Sequence, residues 1–323
     1  MKKILILFGG DSQEHLISCK SAATITKNID TSLFDVSTTY IAKDNTWYIY
    51  NKDINLIINN TIDLSSLEKI TNHIEYLKSF DKVFPIMHGN PCENGNIQGM
   101  LNMFNIPYVG SNLQSSIISY DKELTKIICH NYQIPQVPYI VVTNKKAIKK
   151  LDIEFPVIIK PAKCGSSIGI NIANNIKELN KYIKEAFNYD DKVIIEKYIK
   201  SRELECAILE DKKLKVSPVG EIKSSNTFYD YEAKYIKDSN LIIPAKIDKS
   251  LEKQIQDLSI KIFKILSLSN LSRIDFLYDY NNDILYFNEV NTMPGFTSIS
   301  MYPLLFNYIG ISTKELITKL INN

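Results

Sequence analysis

The chain opens with five consecutive apolar residues, Ile4 to Phe8, stopped at once by Gly9-Gly10-Asp11 and followed by a helical-period stretch from Leu16 to Ile29. The run is far shorter than the roughly 20 residues that cross a bilayer, and shorter than the roughly 7–15 apolar residues of a secretory leader. It reads as a buried first strand entering a tight turn. The same alternation continues to about Ser111: Val83 to Met87 is a strand entering His88-Gly89, Ile97 to Phe104 a helix, and Ile106 to Val109 a short apolar run. Short apolar runs alternating with helical stretches are the signature of an open α/β layer with parallel strands.

Beyond Ser111 one helix is expected from Ser115 to Asn131, with Ile117, Ile118, Leu124, Ile127 and Ile128 on a single stripe. A strand from Phe155 to Lys160, a Gly/Ser loop from Pro161 to Gly169, a helix from Ile176 to Phe187 and strands at Val193 to Ile199 and Leu204 to Leu209 follow. From Val216 the chain reads as a strand to Ile222, an unperiodic segment from Lys223 to Asn240, and a helix from Leu251 to Leu268. That segment has the length of a lid or binding loop rather than of a passive connection. With 323 residues the chain holds two domains or three small ones, at roughly 150 residues each. Boundaries are expected at 1–113, 114–200 and 201–323, with a lid at 223–240.

Hydrophobic residues at 45% and charged residues at 23% exclude a disordered or low-complexity chain. A net charge of +2, with scattered lysines, leaves no electrostatic footprint for nucleic acid or an anionic membrane. The five cysteines are odd in number and lack CxxC spacing, so they read as free thiols in a reducing cytoplasm.

The sharpest local chemistry lies in two strands, Ser272 to Phe276 and Phe287 to Asn291, joined by Tyr280-Asn281-Asn282-Asp283. Alternation puts Arg273 and Asp275 on one face. If Tyr280 pairs with Ile284, the same register sets Asp275 opposite Glu289 and Arg273 opposite Asn291. Opposed carboxylates repel unless a cation sits between them, and a hard divalent cation takes this set of oxygens together with nucleotide phosphates. The other reading is an ion network in which Arg273 neutralises both acids. Lys160, ending a strand before Lys163-Cys164-Gly165-Ser166-Ser167-Ile168-Gly169, offers phosphate-cradle chemistry or a plain turn, and Gly9-Gly10-Asp11-Ser12 is open to the same two readings. Glu196, with Lys197, Ile199 and Glu203 after it, offers partners for an adenosine. His88 is either a ligand-site imidazole or a satisfied loop histidine. His15, His73 and His130 form no metal-ligand grouping.

Phe8-Gly9-Gly10-Asp11-Ser12-Gln13-Glu14-His15, the His88 to Gly99 block, Tyr108 to Ser111, Asp121-Lys122, Lys160-Pro161 with Gly165 to Gly169, Phe228 to Tyr235 and Asn288 to Pro303 occur in an order that resembles the D-alanine:D-alanine ligases of the ATP-grasp superfamily. The resemblance covers nearly the whole chain. It implies α/β and α+β architecture, an ATP-grasp fold behind an N-terminal open α/β (pre-ATP-grasp) domain, with ATP held between the central and C-terminal domains. It also implies Mg²⁺ or Mn²⁺, as two ions, small-molecule substrates and a cytoplasmic homodimer, with no nucleic acid or membrane as partner.

Carried over residue by residue, Lys122, Lys160 and Lys234 meet the phosphates. Glu196, Lys197 and Ile199 line the adenine site, Glu203 meets the ribose, and Asp275, Glu289 and Asn291 hold the metal. Glu14 takes the first ammonium within a group containing Ser166 and Tyr235. His88 and Arg273 face the reacting carboxyl, Arg273 and Gly295 N–H meet the oxyanion, and Ser300 and Met301 meet the second substrate. The implied reaction joins two D-alanines through an acyl phosphate; D-alanyl-D-serine or D-alanyl-D-lactate synthesis and a non-catalytic nucleotide-binding module are the alternatives. Cys92, Asn94, Tyr120 and Ser201 depart from the family's usual residues.

Overall fold

The computed structural model describes residues 1–144, 152, 154–223 and 240–323. The first sheet has the order β4-β3-β2-β1-β5, built from β1 (Lys2–Gly9), β2 (Phe34–Ile41), β3 (Trp47–Tyr50), β4 (Glu68–Lys69) and β5 (Lys82–Pro85). Helices α1 (His15–Asn28), α2 (Asn55–Ile58) and α3 (His73–Lys78) lie between these strands, and α4 (Asn96–Met103) follows β5. Only half of the sheet is parallel: β1 runs parallel to β2 and β5, while β3 and β4 are antiparallel. The link from β2 to β3 is a tight turn closed by Ala42 N–H on Thr46 O, too short for the crossover that parallel pairing demands. Ile4 to Phe8 are all fully buried, as the opening run predicted.

The expected helix from Ser115 to Asn131 is two helices, α5 (Leu113–Tyr120) and α6 (Lys122–Asn131). Asp121 breaks it. Its backbone is extended (φ −86°, ψ 102°), and its carboxylate accepts from the N–H groups of Glu123 and Leu124, starting α6 afresh. The stripe computed through that break loses phase. Ile117, Leu124 and Ile127 are exposed, whereas Ser115, Ser116, Ser119, Thr125, Lys126 and Cys129 are buried.

A small antiparallel sheet follows, ordered β6-β9-β7-β8, from β6 (Tyr139–Val142), β7 (Val157–Pro161), β8 (Asn171–Ala173) and β9 (Val193–Lys197). Helix α7 (Ile176–Ala186) covers one face, where Val157, Ile159, Val193 and Ile195 pack on Leu179 and Ile183. By the two-residue period of strands, Ile158, Lys160, Ile194 and Glu196 point to the other face.

The large sheet is antiparallel throughout, ordered β12-β11-β10-β13-β14. Its strands are β10 (Arg202–Asp211), β11 (Lys213–Lys223), β12 (Asn240–Ile242), β13 (Leu271–Asp279) and β14 (Ile284–Asn291). Helix α8 (Lys249–Ile265) seals one face with Ile255, Ile262 and Phe263 against Leu204 and Ile274. Helices α9 (Met301–Tyr308) and α10 (Thr313–Asn322) join the core of the first sheet through Tyr302, Leu305, Phe306, Leu316 and Leu320, and the loop before α9 adds Phe296, edge-to-face with Phe84. Each such buried side chain stabilises by roughly 1.5–3 kcal/mol, and Ala207, Leu209 and Leu271 of the large sheet belong to the same apolar mass as the first sheet.

The hairpin register is as expected where it matters and shifted where it turns. Arg273 pairs with Asn291 and Asp275 with Glu289, but Asp279, not Tyr280, pairs with Ile284. A bulge between Asp275 and Phe276 absorbs the difference and leaves Asn288 without a cross-strand partner in the ladder. Of the expected lid, Lys223 and Asn240 pair with one another as the last rungs of β11 and β12; residues 224–239 lie outside the described residues.

Candidate active site

Three loops meet around Glu14, at the start of α1. Ser166 donates its hydroxyl to Glu14 Oε1, and two glycines make that approach geometrically available. A Cβ on Gly165 would lie 2.9 Å from Glu14 Oε2, and one on Gly89 would lie 3.2 Å from the same oxygen. Ser166 and Ser167 hold positive φ, 52° and 60°, so the loop after β7 turns its small residues back toward Glu14. The cleft beside them is lined by His88, Glu93, Glu205, Arg273, Glu289 and Asn291, and by the 293–295 and 299–301 segments.

His88 is buried and used at both nitrogens. Its Nδ1 lies 3.0 Å from Met293 O and its Nε2 3.0 Å from Ser21 Oγ; the carbonyl fixes Nδ1 as the donor. Ser21 in turn accepts from Phe296 N–H at 3.1 Å. Burial holds the imidazole below its usual value, against the opposing pull of Glu14. The ring therefore ties α1 to the loop after β14 as a neutral group. Gly295 lies in that loop, where a Cβ would come within 2.9 Å of Ser300 Oγ. Ser300 Oγ accepts from Thr297 N–H at 3.0 Å. Met301 is buried and packed so closely on Gly220 that a Cβ there would meet its Sδ at 2.4 Å.

On the large sheet, Arg273 donates from Nε and Nη2 to both oxygens of Asp275, at 2.8 and 2.7 Å, and its Nε lies 3.0 Å from Glu205 Oε2. Asn291 donates to Asp275 Oδ2 at 2.9 Å, and Lys122 Nζ lies 3.5 Å from Glu289 Oε2. The ion-network reading takes a different form from the expected one, with Arg273 on Asp275 and Glu205 and Lys122 on Glu289, while the two acids with Asn291 Oδ1 offer the all-oxygen donor set of the metal reading. Such a set fits a hard divalent cation, which is bound through one or two carboxylates and completes its shell with phosphates and water.

The open face of the small sheet carries the cations. Lys160 Nζ lies 2.7 Å from Glu196 Oε2 and donates to Asn288 Oδ1 at 3.4 Å. Lys122 donates to Cys164 O at 2.7 Å, tying α6 to the Gly/Ser loop. Lys197 is exposed beside Glu154, 3.5 Å away, while Ile199 and Glu203 are half-buried. Lys234 and Tyr235 lie outside the described residues.

Four residues enter the site without having been singled out from sequence: Glu93, Lys126, Glu205 and Asn288. Glu93 faces Glu14 and Glu289; burial, reinforced by Glu14, pushes its carboxyl up to about 8. Glu205 stands opposite Asp275 across β10 and β13, a pairing that alternation within one strand does not reveal, and Asn288 depends on a bulge.

Two whole segments of the chain match one family: residues 3–111 its N-terminal part and 128–322 its C-terminal part, described as D-ala D-ala ligase N-terminus and C-terminus. The chain belongs to the D-alanine–D-alanine ligase family. It is 41% identical to D-alanine–D-alanine ligase B of Clostridium tetani, over 99% of this chain and 92% of that protein. It is similar in structure to the VanG D-Ala:D-Ser ligase of Enterococcus faecalis, with a TM-score of 0.88, 35% identity and coverage of 99% and 98% of the two chains. The D-alanine–D-alanine ligase of Coxiella burnetii is as similar in structure, with a TM-score of 0.88 at 32% identity over 99% and 93%. The mixed sheets described above are thus the ATP-grasp fold of this ligase family, behind its N-terminal domain.

Proposed function

We infer that the protein joins two D-alanines into D-alanyl-D-alanine at the expense of ATP, supplying a precursor for peptidoglycan. The observation that carries the reading is the convergence of Glu14, Ser166, Arg273 and Asn291, from three sheets, on one cleft. The first D-alanine places its ammonium on Glu14, which Ser166 orients. Its carboxylate oxygen attacks the γ-phosphorus, the bond to ADP breaks, and an acyl phosphate forms. Lys122 and Lys160 offset charge on the transferring group. The neutral amine of the second D-alanine, whose carboxylate sits at Ser300, then attacks the acyl carbon; the carbon–nitrogen bond forms, phosphate leaves and the amine gives up one proton. Arg273 and Gly295 N–H stabilise the oxyanion on the way.

Asp275, Glu289 and Asn291 would hold Mg²⁺ or Mn²⁺, which supplies charge neutralisation for the phosphates. Lys234 and Tyr235 belong to the same proposal through the family motif, as do adenine contacts from Glu196, Lys197 and Ile199, ribose contacts from Glu203, a lid over 223–240 and domains at 1–113, 114–200 and 201–323. So do a homodimer and a cytoplasmic setting, the latter supported by five free cysteines. The test is phosphate release from ATP with D-alanine as the only amino acid, with products weighed by mass spectrometry. Phosphate release without the dipeptide would refute the reading.

A further inference from the structure

Lys126 is the most deeply buried cation described, 1% exposed. Four residues after Lys122 on α6, it shares that helix's inward face. Its Nζ lies 2.7 Å from Glu196 Oε1, and Lys160 Nζ lies 2.7 Å from Oε2 of the same carboxylate. Tyr139, paired with Glu196 across β6 and β9, puts its ring 5.2 Å from the Lys126 ammonium. Two buried lysines thus share one buried carboxylate. If Glu196 had only Lys160, the pair would be neutral and Lys160 would have little attraction left for an anion.

We propose that Lys126 is a positioning residue for nucleotide binding: by neutralising Glu196 from behind, it leaves the charge of Lys160 for a nucleotide phosphate at the mouth of the cleft. This rests on the reading that phosphates meet Lys160. Asn288, presented by the bulge, accepts from the same ammonium from the large sheet at 3.4 Å, so Lys160 is fixed between one carboxylate oxygen and one amide oxygen, while Lys126 meets the other oxygen of that carboxylate. Removing Lys126 would not create a vacant contact to the nucleotide. It would leave Lys160 as the one cation on Glu196 among the described residues.

The test is calorimetric binding of ATP with Mg²⁺, and of adenosine, to the wild type, Lys126→Met, Lys126→Arg and the double variant Lys126→Met/Glu196→Gln. Lys126→Met should weaken ATP by roughly 5- to 150-fold, the span of a 1–3 kcal/mol coupling, and leave adenosine within about twofold. Lys126→Arg should retain most of the ATP affinity. In the double variant no carboxylate competes for Lys160, and the ratio of ATP to adenosine affinity should return toward that of the wild type; this variant carries the test if Lys126→Met does not fold. Equal losses for ATP and adenosine would show a merely structural lysine and overturn the proposal. So would unchanged ATP binding by Lys126→Met, or a double variant whose affinity ratio stays depressed. A wild type that binds adenosine but gains nothing from phosphates would overturn the underlying reading as well.

Discussion

Asp275 faces Glu289 across the last hairpin although the turn joining their strands is offset by one residue. The bulge that restores the register also turns Asn288 toward Lys160 on the other sheet. One inserted residue therefore aligns two carboxylates and adds a contact across the cleft, which is how bulges near functional sites re-aim side chains.

That alignment predicts the behaviour of Glu289→Gln. The side chain is one quarter exposed and lies 3.5 Å from Lys122, an ion pair of a kind worth about 0–1 kcal/mol. Thermal stability should scarcely move, while turnover at limiting Mg²⁺ should fall steeply and recover in part as the metal is raised. Activity indistinguishable from wild type at limiting Mg²⁺ would remove Glu289 from the metal set.

Acid stability should report on Glu196. Burial alone would raise its carboxyl, but Lys126 and Lys160 outweigh it and hold the group at about 2, below its ordinary 4.5. The unfolded chain then binds more protons between those values, so stability rises with pH there. The contribution is complete above about pH 4.5 and is lost as pH falls to about 2, on the order of 3 kcal/mol. Denaturant titrations of wild type and Glu196→Gln across that window should converge at the acid end; a constant gap would contradict the assignment.

Gly165→Ala tests the approach to Glu14. The added methyl would stand 2.9 Å from a carboxylate oxygen, and a long side chain can yield without upsetting the fold. Stability should change by under about 1 kcal/mol, whereas the KM for the first D-alanine should rise roughly tenfold, the equivalent of about 1.4 kcal/mol. Unaltered KM values for D-alanine would separate Glu14 from the ammonium site.

At the second site, Met301 gives an apolar, adaptable surface held against Gly220. A hydroxyl buried there without a partner costs on the order of 1–3 kcal/mol, or roughly 5- to 150-fold. Equal D-alanine and D-serine near neutral pH should give mostly D-alanyl-D-alanine, and Met301→Arg should erode that preference. Mixed dipeptide predominating in the wild type would refute the selectivity, and full selectivity in the variant would exonerate Met301.

Sequence alone determined what depends on neighbours along the chain. Ile4 to Phe8 could only be a buried strand, because a continuous apolar run next to a glycine turn has no other low-cost place. Arg273 and Asp275 had to share a face, because alternation is a property of the strand itself; the partners Asn291 and Glu289 followed from a register that a bulge then preserved. What the chain could not announce were relations made in space. Asp121 reads as one more residue of a periodic helix until its carboxylate caps α6 and Lys192, 71 residues on, pairs with it at 2.8 Å. Lys126 reads as a solvated lysine like any other. Only the closing of α6 against the small sheet buries it and makes a cation at that point stable, because Glu196 is already there to meet it.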